Sequence, residues 1–425
     1  MNYDCICFSK PNARYQGGDF LKKQKKEKWI KLRHKVVTAS LRPLLRPYIV
    51  WKYGIECVKF NEQGDRKYLI LMNHQTPFDQ FFVALSFKKP IYYMATEDIF
   101  SKGFISKVIT YLVAPIPIKK QTSDVAAVLN CLRVAREGGT ICIAPEGNRT
   151  YSGRTEYINP TIASLAKRLK LPIALYRIEG GYGVQPRWSD VVRKGKMRAY
   201  VSRVIEPEEY KEMTDCELND AINKELFVNE AYTDGIFVHK KRAEYLERAI
   251  YVCPYCGLSE FESNGELFTC KHCKKSVRYT EMKELVGVGH SFPFRYISQW
   301  YDYQQDFVNA LPLDTMTEKP IYEDVADFSQ VIVNKKKVTL RKGAKIKLYG
   351  NRLTIDEDGE SALSFDFDDL TAVSVLGRNK LNIYLAATVY QFKGDKRFNA
   401  LKYVNFYYRY NNLAKGEANG KFLGL

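Results

Sequence analysis

From residue 54 to about 240, short apolar runs alternate with longer stretches of helical periodicity. The runs at 68–72, 91–94, 140–144, 171–178 and 197–204 have the length and composition of buried strands. Between them, 78–87, 104–112, 124–137 and 161–170 repeat their apolar residues at helical spacing. That alternation predicts an α/β unit with its sheet covered by helices. The pattern then changes. Residues 205–250 carry helical stretches, including 221–227 and 243–250, that are expected to pack and link. Residues 281–320 form a helical connector, whose Phe292, Phe294, Tyr296, Trp300, Tyr301, Tyr303 and Phe307 fit a packed core or a lipid grip, the core being the commoner use of such spacing. Beyond 321, short alternating strands follow one another at 330–333, 336–340, 345–349, 352–355, 362–365, 370–375, 380–384 and 389–392. A closing helix is expected at 397–410.

The N-terminal stretch fits neither pattern. Lysines at 22, 23, 25, 26, 28, 31 and 35 interleave with Trp29, Ile30, Leu32, Val36 and Val37, then Leu41, Leu44, Leu45, Ile49, Val50 and Trp51. Arg42-Pro43 and Arg46-Pro47 should break this helical region into pieces. A basic amphipathic segment with tryptophan suits the interface of an anionic bilayer, and equally an apolar face packed on the protein with lysines in water. The formal net charge of +18 calls for an anionic partner: lipid, nucleic acid or a phosphorylated substrate. No recognisable nucleic-acid module is present. No run reaches the ~18 apolar residues of a membrane span, and the first residues lack the order of a signal peptide. The chain is therefore expected in the cytoplasm, at the membrane face. There, reducing conditions would leave its ten cysteines as thiols or metal ligands; Cys5 and Cys7 are expected to be free.

Candidate chemistry centres on Asn73-His74-Gln75-Thr76-Pro77-Phe78-Asp79, directly after the apolar run at 68–72. Asn73 can end the strand, and Pro77 suits the first turn of a helix. Asp79 would then lie about one turn in, able to reach back to the imidazole. A carboxylate on one ring nitrogen sets the tautomer and leaves the other nitrogen as a base. An isolated histidine and aspartate at this gap are more often an ordinary buried pair. Three further patches fall at apparent strand ends: Pro115-Ile-Pro-Ile-Lys119-Lys120, Ile143-Ala-Pro-Glu146-Gly147-Asn148-Arg149-Thr150, and Leu171-Pro-Ile-Ala-Leu-Tyr-Arg177. Open α/β sheets place ligands at the carboxyl ends of their strands. Alone, Lys119-Lys120 is a solvated charge pair and Glu146-Gly-x-Arg149 a charged turn.

In this order and spacing, NHQTPFD, IPIKK, APEGNRT and LPIAL resemble the glycerolipid acyltransferases of the 1-acylglycerol-3-phosphate type, over residues 30–240. Asn148 stands where that family usually has Thr, Thr150 where it has Ser, and Lys119-Lys120 where an Arg is common. The resemblance implies acyl transfer from acyl-CoA or acyl-carrier protein to the hydroxyl of a lysophospholipid. It makes His74 the general base, Asp79 its orienting partner, and Arg149 with Lys119 or Lys120 the phosphate contacts. Glu146 would bind acceptor hydroxyls or hold Arg149, and Gly147 would let backbone approach the ligand. No acyl-enzyme is required. The leading acceptor is 1-acylglycerol-3-phosphate, giving phosphatidic acid, and glycerol-3-phosphate or another lysophospholipid is the second enzyme reading. A non-catalytic membrane or nucleic-acid adaptor is the reading from another class, although all of His74, Asp79, Glu146 and Arg149 are present.

Cys253-Pro-Tyr-Cys256 and Cys270-Lys-His-Cys273 are separated by thirteen residues. Two such knuckles mark a zinc ribbon: each aims two thiolates at one ion, and four complete a closed, structural site. Gly257 fits the knuckle turn, and His272 is a spare ligand. The implied organisation is a basic region 1–53, an acyltransferase unit 54–240, a ribbon 251–280, the connector 281–320, and a mostly-β unit 321–425. The last resembles a pleckstrin-homology or GRAM-like barrel at the level of strand pattern.

Overall fold

A computed structural model describes residues 28–100, 103–118, 124–232, 234–332, 337–386 and 388–417. Cys5, Cys7, the lysines at 22–26, Lys119, Lys120 and Lys335–Lys336 lie outside them. The chain opens with helix α1 (Leu32–Tyr53) and then builds a seven-stranded sheet. Its strands are β1 (Ile55–Cys57), β2 (Leu69–Met72), β3 (Ile91–Thr96), β4 (Ile116–Ile118), β5 (Thr140–Ile143), β6 (Ile173–Glu179) and β7 (Met197–Ile205). They lie in the order β1-β7-β6-β2-β5-β3-β4. From β6 to β4 all neighbours are parallel, whereas β7 runs antiparallel to β6 and carries β1 alongside.

The central strands are buried on both sides, which explains their continuous apolar runs. Leu69 and Leu71 face one layer, built on α5 (Val125–Arg136), α6 (Thr161–Leu169) and α9 (Asp215–Leu226); Ile70 and Met72 face the other, with α1 and α2 (Asp79–Ser86). Short helices α3 (Glu97–Phe100), α4 (Phe104–Val113), α7 (Gly181–Val184) and α8 (Pro207–Lys211) complete the unit. Topology therefore brings the carboxyl ends of β2 and β5 side by side.

After this unit come a small hairpin, β8 (Val252–Cys253) with β9 (Gly257–Leu258), and a four-stranded antiparallel sheet, β10 (Phe261–Asn264), β11 (Leu267–Cys270), β12 (Ser276–Tyr279) and β13 (Leu285–Gly287). Helix α10 (Ile297–Asn309) lays Trp300 across the stacked rings of Phe261 and Phe268. The connector aromatics thus pack a core. A curled antiparallel sheet follows, β14 (Tyr322–Val331), β15 (Val338–Leu348), β16 (Arg352–Ile355), β17 (Leu363–Asp366), β18 (Ala372–Leu376), β19 (Lys380–Tyr384) and β20 (Val389–Gly394), closed by α11 (Ala400–Ala414). One hydrophobic cluster runs from Tyr151, Tyr182 and Trp188 through this small sheet into the interior of the curled one.

Four expectations need correction. The first concerns the prolines of α1, which remains one helix through Pro43 and Pro47. They lie one turn apart, and Ala39 and Pro43, whose carbonyls lose their donors, are exposed to water. Second, residues 243–250 are turns with a single 3-10 turn (Leu246–Arg248). Tyr245 adopts a left-handed φ of 73°, and the side chain of Arg248 is buried against Trp188 O, Asp190 and Lys396 O. Third, α2 begins at Asp79 and not at Pro77. Fourth, the two strands expected at 336–340 and 345–349 are one long β15, and its partner β14 begins already at Tyr322.

Candidate active site

Asn73 ends β2 by a specific device. Its side-chain amide donates to Ile178 O at 2.8 Å and accepts from Ile178 N at 2.7 Å, extending the pairing to β6 with a side chain. The backbone is then free to turn, and the turn is closed by Asp79. One carboxylate oxygen accepts from Gln75 N at 2.7 Å and Thr76 N at 3.1 Å; the other accepts from Thr76 Oγ1 at 2.6 Å and Thr76 N at 3.0 Å. As first residue of α2, Asp79 also sits where a helix favours negative charge. Its carboxylate is fully buried and held by three donors, one of them shared between both oxygens, before the imidazole is counted.

His74 Nδ1 lies 2.7 Å from Asp79 Oδ2. A carboxylate can only accept, so Nδ1 carries the proton and donates it, leaving Nε2 with a lone pair. The ring is partly exposed and lines a cleft of about 1780 Å³. From the neighbouring strand end, Glu146 reaches across: Oε1 accepts from His74 N and Oε2 from Glu156 N, each at 2.7 Å. Burial pushes Glu146 well above the usual carboxylate range, while the two backbone donors pull it back. Glu156 is raised for the same reason, burial, and accepts from Thr150 Oγ1 at 3.0 Å. Glu146 makes no ion pair with Arg149 among the described residues. Gly147 takes φ +70° in this turn, a conformation open to glycine and strained for others.

Arg149 lines the same cleft. Its Nη1 is buried and has no hydrogen-bond partner among the described residues. Burial, then the guanidiniums of Arg187 and Arg378, push it down to about 9. Arg187 lies 4.3 Å above the Tyr151 ring and ties Arg149 O to Val375 O of the curled sheet. Apolar side chains line the cleft as well, among them Leu41 and Leu45 from α1, Ile109 and Leu112 from α4, Ile99 and Val128, with Arg42 and Lys89 also in the lining. Arg177 pairs with Glu179 and does not line the cleft. The structure thus brings His74, Asp79, Glu146, Gly147 and Arg149 together at one edge of the sheet.

Sequence reasoning missed Glu156, Arg187 and Arg378, which no motif marks. It missed Gln75 too, whose side chain accepts from Tyr182 N and donates to Glu230. The signal for Gln75 was its place inside the motif.

The four knuckle thiols form a second cluster, with all Sγ atoms within 4.8 Å of one another. Cys253 to Cys273 is 3.7 Å and Cys256 to Cys270 is 3.6 Å. Four sulfurs about 2.3 Å from a tetrahedral zinc stand about 3.8 Å apart, so the set could bind a metal such as zinc. Gly257, at φ +76°, and Lys274, at φ +61°, make the matching knuckle turns. His272 is exposed outside the cluster.

Residues 54–178 match the model of a family described as acyltransferase, a span from β1 into β6 that holds the His74, Asp79, Glu146, Gly147 and Arg149 loops. No curated protein matches the chain. Among solved structures, the 1-acyl-sn-glycerophosphate (LPA) acyltransferase PlsC from Thermotoga maritima is similar. Identity is 18%, the TM-score is 0.39, and the match covers 45% of this chain and 77% of that one.

Proposed function

We propose that the protein moves a fatty acyl group from acyl-CoA or acyl-carrier protein to the free hydroxyl of a lysophospholipid, 1-acylglycerol-3-phosphate foremost, giving phosphatidic acid. The observation that carries this reading is the His74–Asp79 pair, its open ring nitrogen on a cleft that Arg149 and Arg187 line together with many apolar side chains. The acceptor's phosphate meets Arg149, with Lys119 or Lys120 as further contacts, and an acyl chain lies along the apolar side chains. As the acceptor oxygen attacks the thioester carbonyl, His74 Nε2 takes its proton. Asp79 stabilises the imidazolium. The new C–O ester bond forms, the C–S bond breaks, and the imidazolium returns the proton to the departing thiolate. Glu146 holds the His74 backbone and Gly147 shapes the turn, so both position the base. Glycerol-3-phosphate and other lysophospholipids would use the same site. An adaptor would have no use for a base this firmly oriented.

The flanking parts fit a membrane-surface enzyme on the cytoplasmic side. No helix among the described residues is long and apolar enough to cross a membrane. However, α1 and α4 display bulky apolar residues to solvent, Trp51 at 80% and Phe104 at 78% exposure, and lysines surround α1. These suit an anionic membrane surface. Cys253, Cys256, Cys270 and Cys273 would hold one structural zinc, which would supply folding energy to a sheet too small to stabilise itself. The curled sheet with its closing helix is assigned a PH/GRAM-like role, and the units are divided at 53, 240, 251, 280 and 320. Nucleic acid has no place in this scheme.

The test is an acyl-transfer assay of the purified full chain over several lysophospholipid acceptors, with His74→Ala as control. Transfer by the wild type and its loss in the folded variant are expected. Equal turnover in both would remove the central role of His74.

A further inference from the structure

The hairpin joining β18 to β19 enters the cleft from the curled sheet, far along the chain from the rest of the site. Leu376 and Gly377 line the cleft alongside His74 and Arg149. Val375 O receives Arg187 Nη2 at 3.1 Å, so the strand before the hairpin is bonded to a buried cation of the α/β unit. The hairpin tip is anchored as well: Asn379 donates to Gly394 O at 3.1 Å and Asp395 O at 2.7 Å. Gly377 takes φ +68°, which lets a three-residue turn present Arg378.

Arg378 is half-buried, and its hydrogen bond among the described residues runs from Nη1 to Asp190 Oδ1 at 3.0 Å. Asp190 also takes two bonds from the buried Arg248. One carboxylate therefore serves two guanidiniums and leaves positive charge uncompensated. That charge reaches Arg149, where the repulsion from Arg187 and Arg378 outweighs the attraction of Asp79. Arg149 and Arg187 line the cleft, Arg187 held by Arg149 O and Val375 O, and Arg378 directly follows the cleft-lining Gly377 with its guanidinium on the carboxylate it shares with Arg248. The fork of a guanidinium suits a phosphate with two or more free oxygens.

We infer that Arg378, carried by the curled sheet, completes the acceptor site with Arg149 and selects acceptors with a phosphomonoester headgroup over phosphodiesters. The inference rests on the acyltransferase reading of the cleft. It makes the C-terminal unit part of the substrate site, with Asp190 as the residue that positions Arg378.

Steady-state kinetics of the full chain test it. A 1-acylglycerol-3-phosphate is compared with a lysophosphatidylglycerol, for wild type, Arg378→Ala and Arg378→Lys. Losing one charge-assisted contact should raise KM for the phosphomonoester about tenfold or more in Arg378→Ala. The fall in kcat and the change in the phosphodiester KM should both be smaller, and Arg378→Lys should recover part of the loss. An unchanged phosphomonoester KM, or an equal rise for both acceptors, overturns the assignment. Calorimetric titration with a short-chain phosphomonoester lysolipid separates the two levels. If the wild type binds it and Arg378→Ala does not, the anion site stands even where turnover is absent and the acyltransferase reading has failed. Equal binding by both proteins overturns the anion site alone.

Discussion

His74 and Asp79 stand five residues apart and are already paired, whereas Arg149 keeps a buried Nη1 with no partner among the described residues, and the guanidiniums of Arg187 and Arg378, brought in by other loops, repel it. Arg187 comes from 38 residues further on, and the strand it grips is another 188 away. The two halves of one site are thus built on opposite principles. A base must be oriented before its substrate arrives, so three donors fix Asp79 and Asp79 fixes the ring. An anion site gains by remaining electrically incomplete, so its cations are held by carbonyls and a shared carboxylate. Rigid pairing serves proton movement, and uncompensated charge serves binding.

The sharpest way to break this comparison is in the paired half. His74→Ala should lower kcat by about a thousandfold, the scale of a lost general base, with an unfolding midpoint close to wild type. Asp79→Asn should cost about a hundredfold in kcat and also destabilise the fold. Each of its charge-assisted bonds contributes about 1.5–3 kcal/mol, and an amide offers a donor to groups that are themselves donors. Acceptor binding should survive both changes. A midpoint unmoved in Asp79→Asn would mean the turn is held by something other than the carboxylate. Arg149→Ala comes next, and inverts the signature. The acceptor KM should rise by about ten- to a hundredfold while kcat falls less. A kcat collapse at constant KM would place Arg149 at the reacting centre and dissolve the distinction between the halves.

The same contrast explains what could be read from the chain. The His74 corner was legible because its parts are contiguous: an apolar run, an Asn that ends it, and a carboxylate within reach. The boundary was misplaced, since Pro77 invites a helix start that Asp79 in fact provides by gathering the N–H groups before it. The alternating runs gave the sheet its strands, because burial on both faces demands unbroken apolar sequence. The knuckles were legible because two pairs of cysteines at fixed spacing have few other uses. Arg187 and Arg378 were not, since Gln-Pro-Arg-Trp and Gly-Arg-Asn carry no local signal. Their meaning arises from docking of the curled sheet against the loop after α7. Residues 243–250 failed for a related reason. Their helical spacing was overridden by Arg248, which is drawn into the seam by Trp188 O, Asp190 and Lys396 O.

The smallest expected effect connects the ribbon to the cationic half. Tyr279, on β12, packs edge-on against Trp188 at 5.8 Å, and Trp188 O receives Arg248, which grips Asp190. Asp190 in turn positions Arg378. The ribbon also reaches Gln75, through Lys283 on Glu230 O and Glu230 on the Gln75 side chain, but the hydrogen bonds to Asp79 itself among the described residues come from His74, Gln75 and Thr76, within its own turn. Cys256→Ser, or removal of the metal by a chelator, should lower the unfolding midpoint and take the zinc content well below about one per chain. In the fraction that stays folded, the acceptor KM should rise by about threefold, within the range of indirect coupling, while kcat at saturating acceptor changes less. A metal-depleted protein with wild-type acceptor KM would show that the ribbon stabilises the chain without steadying Arg378. A fall in kcat alone would mean that its influence reaches the paired half instead.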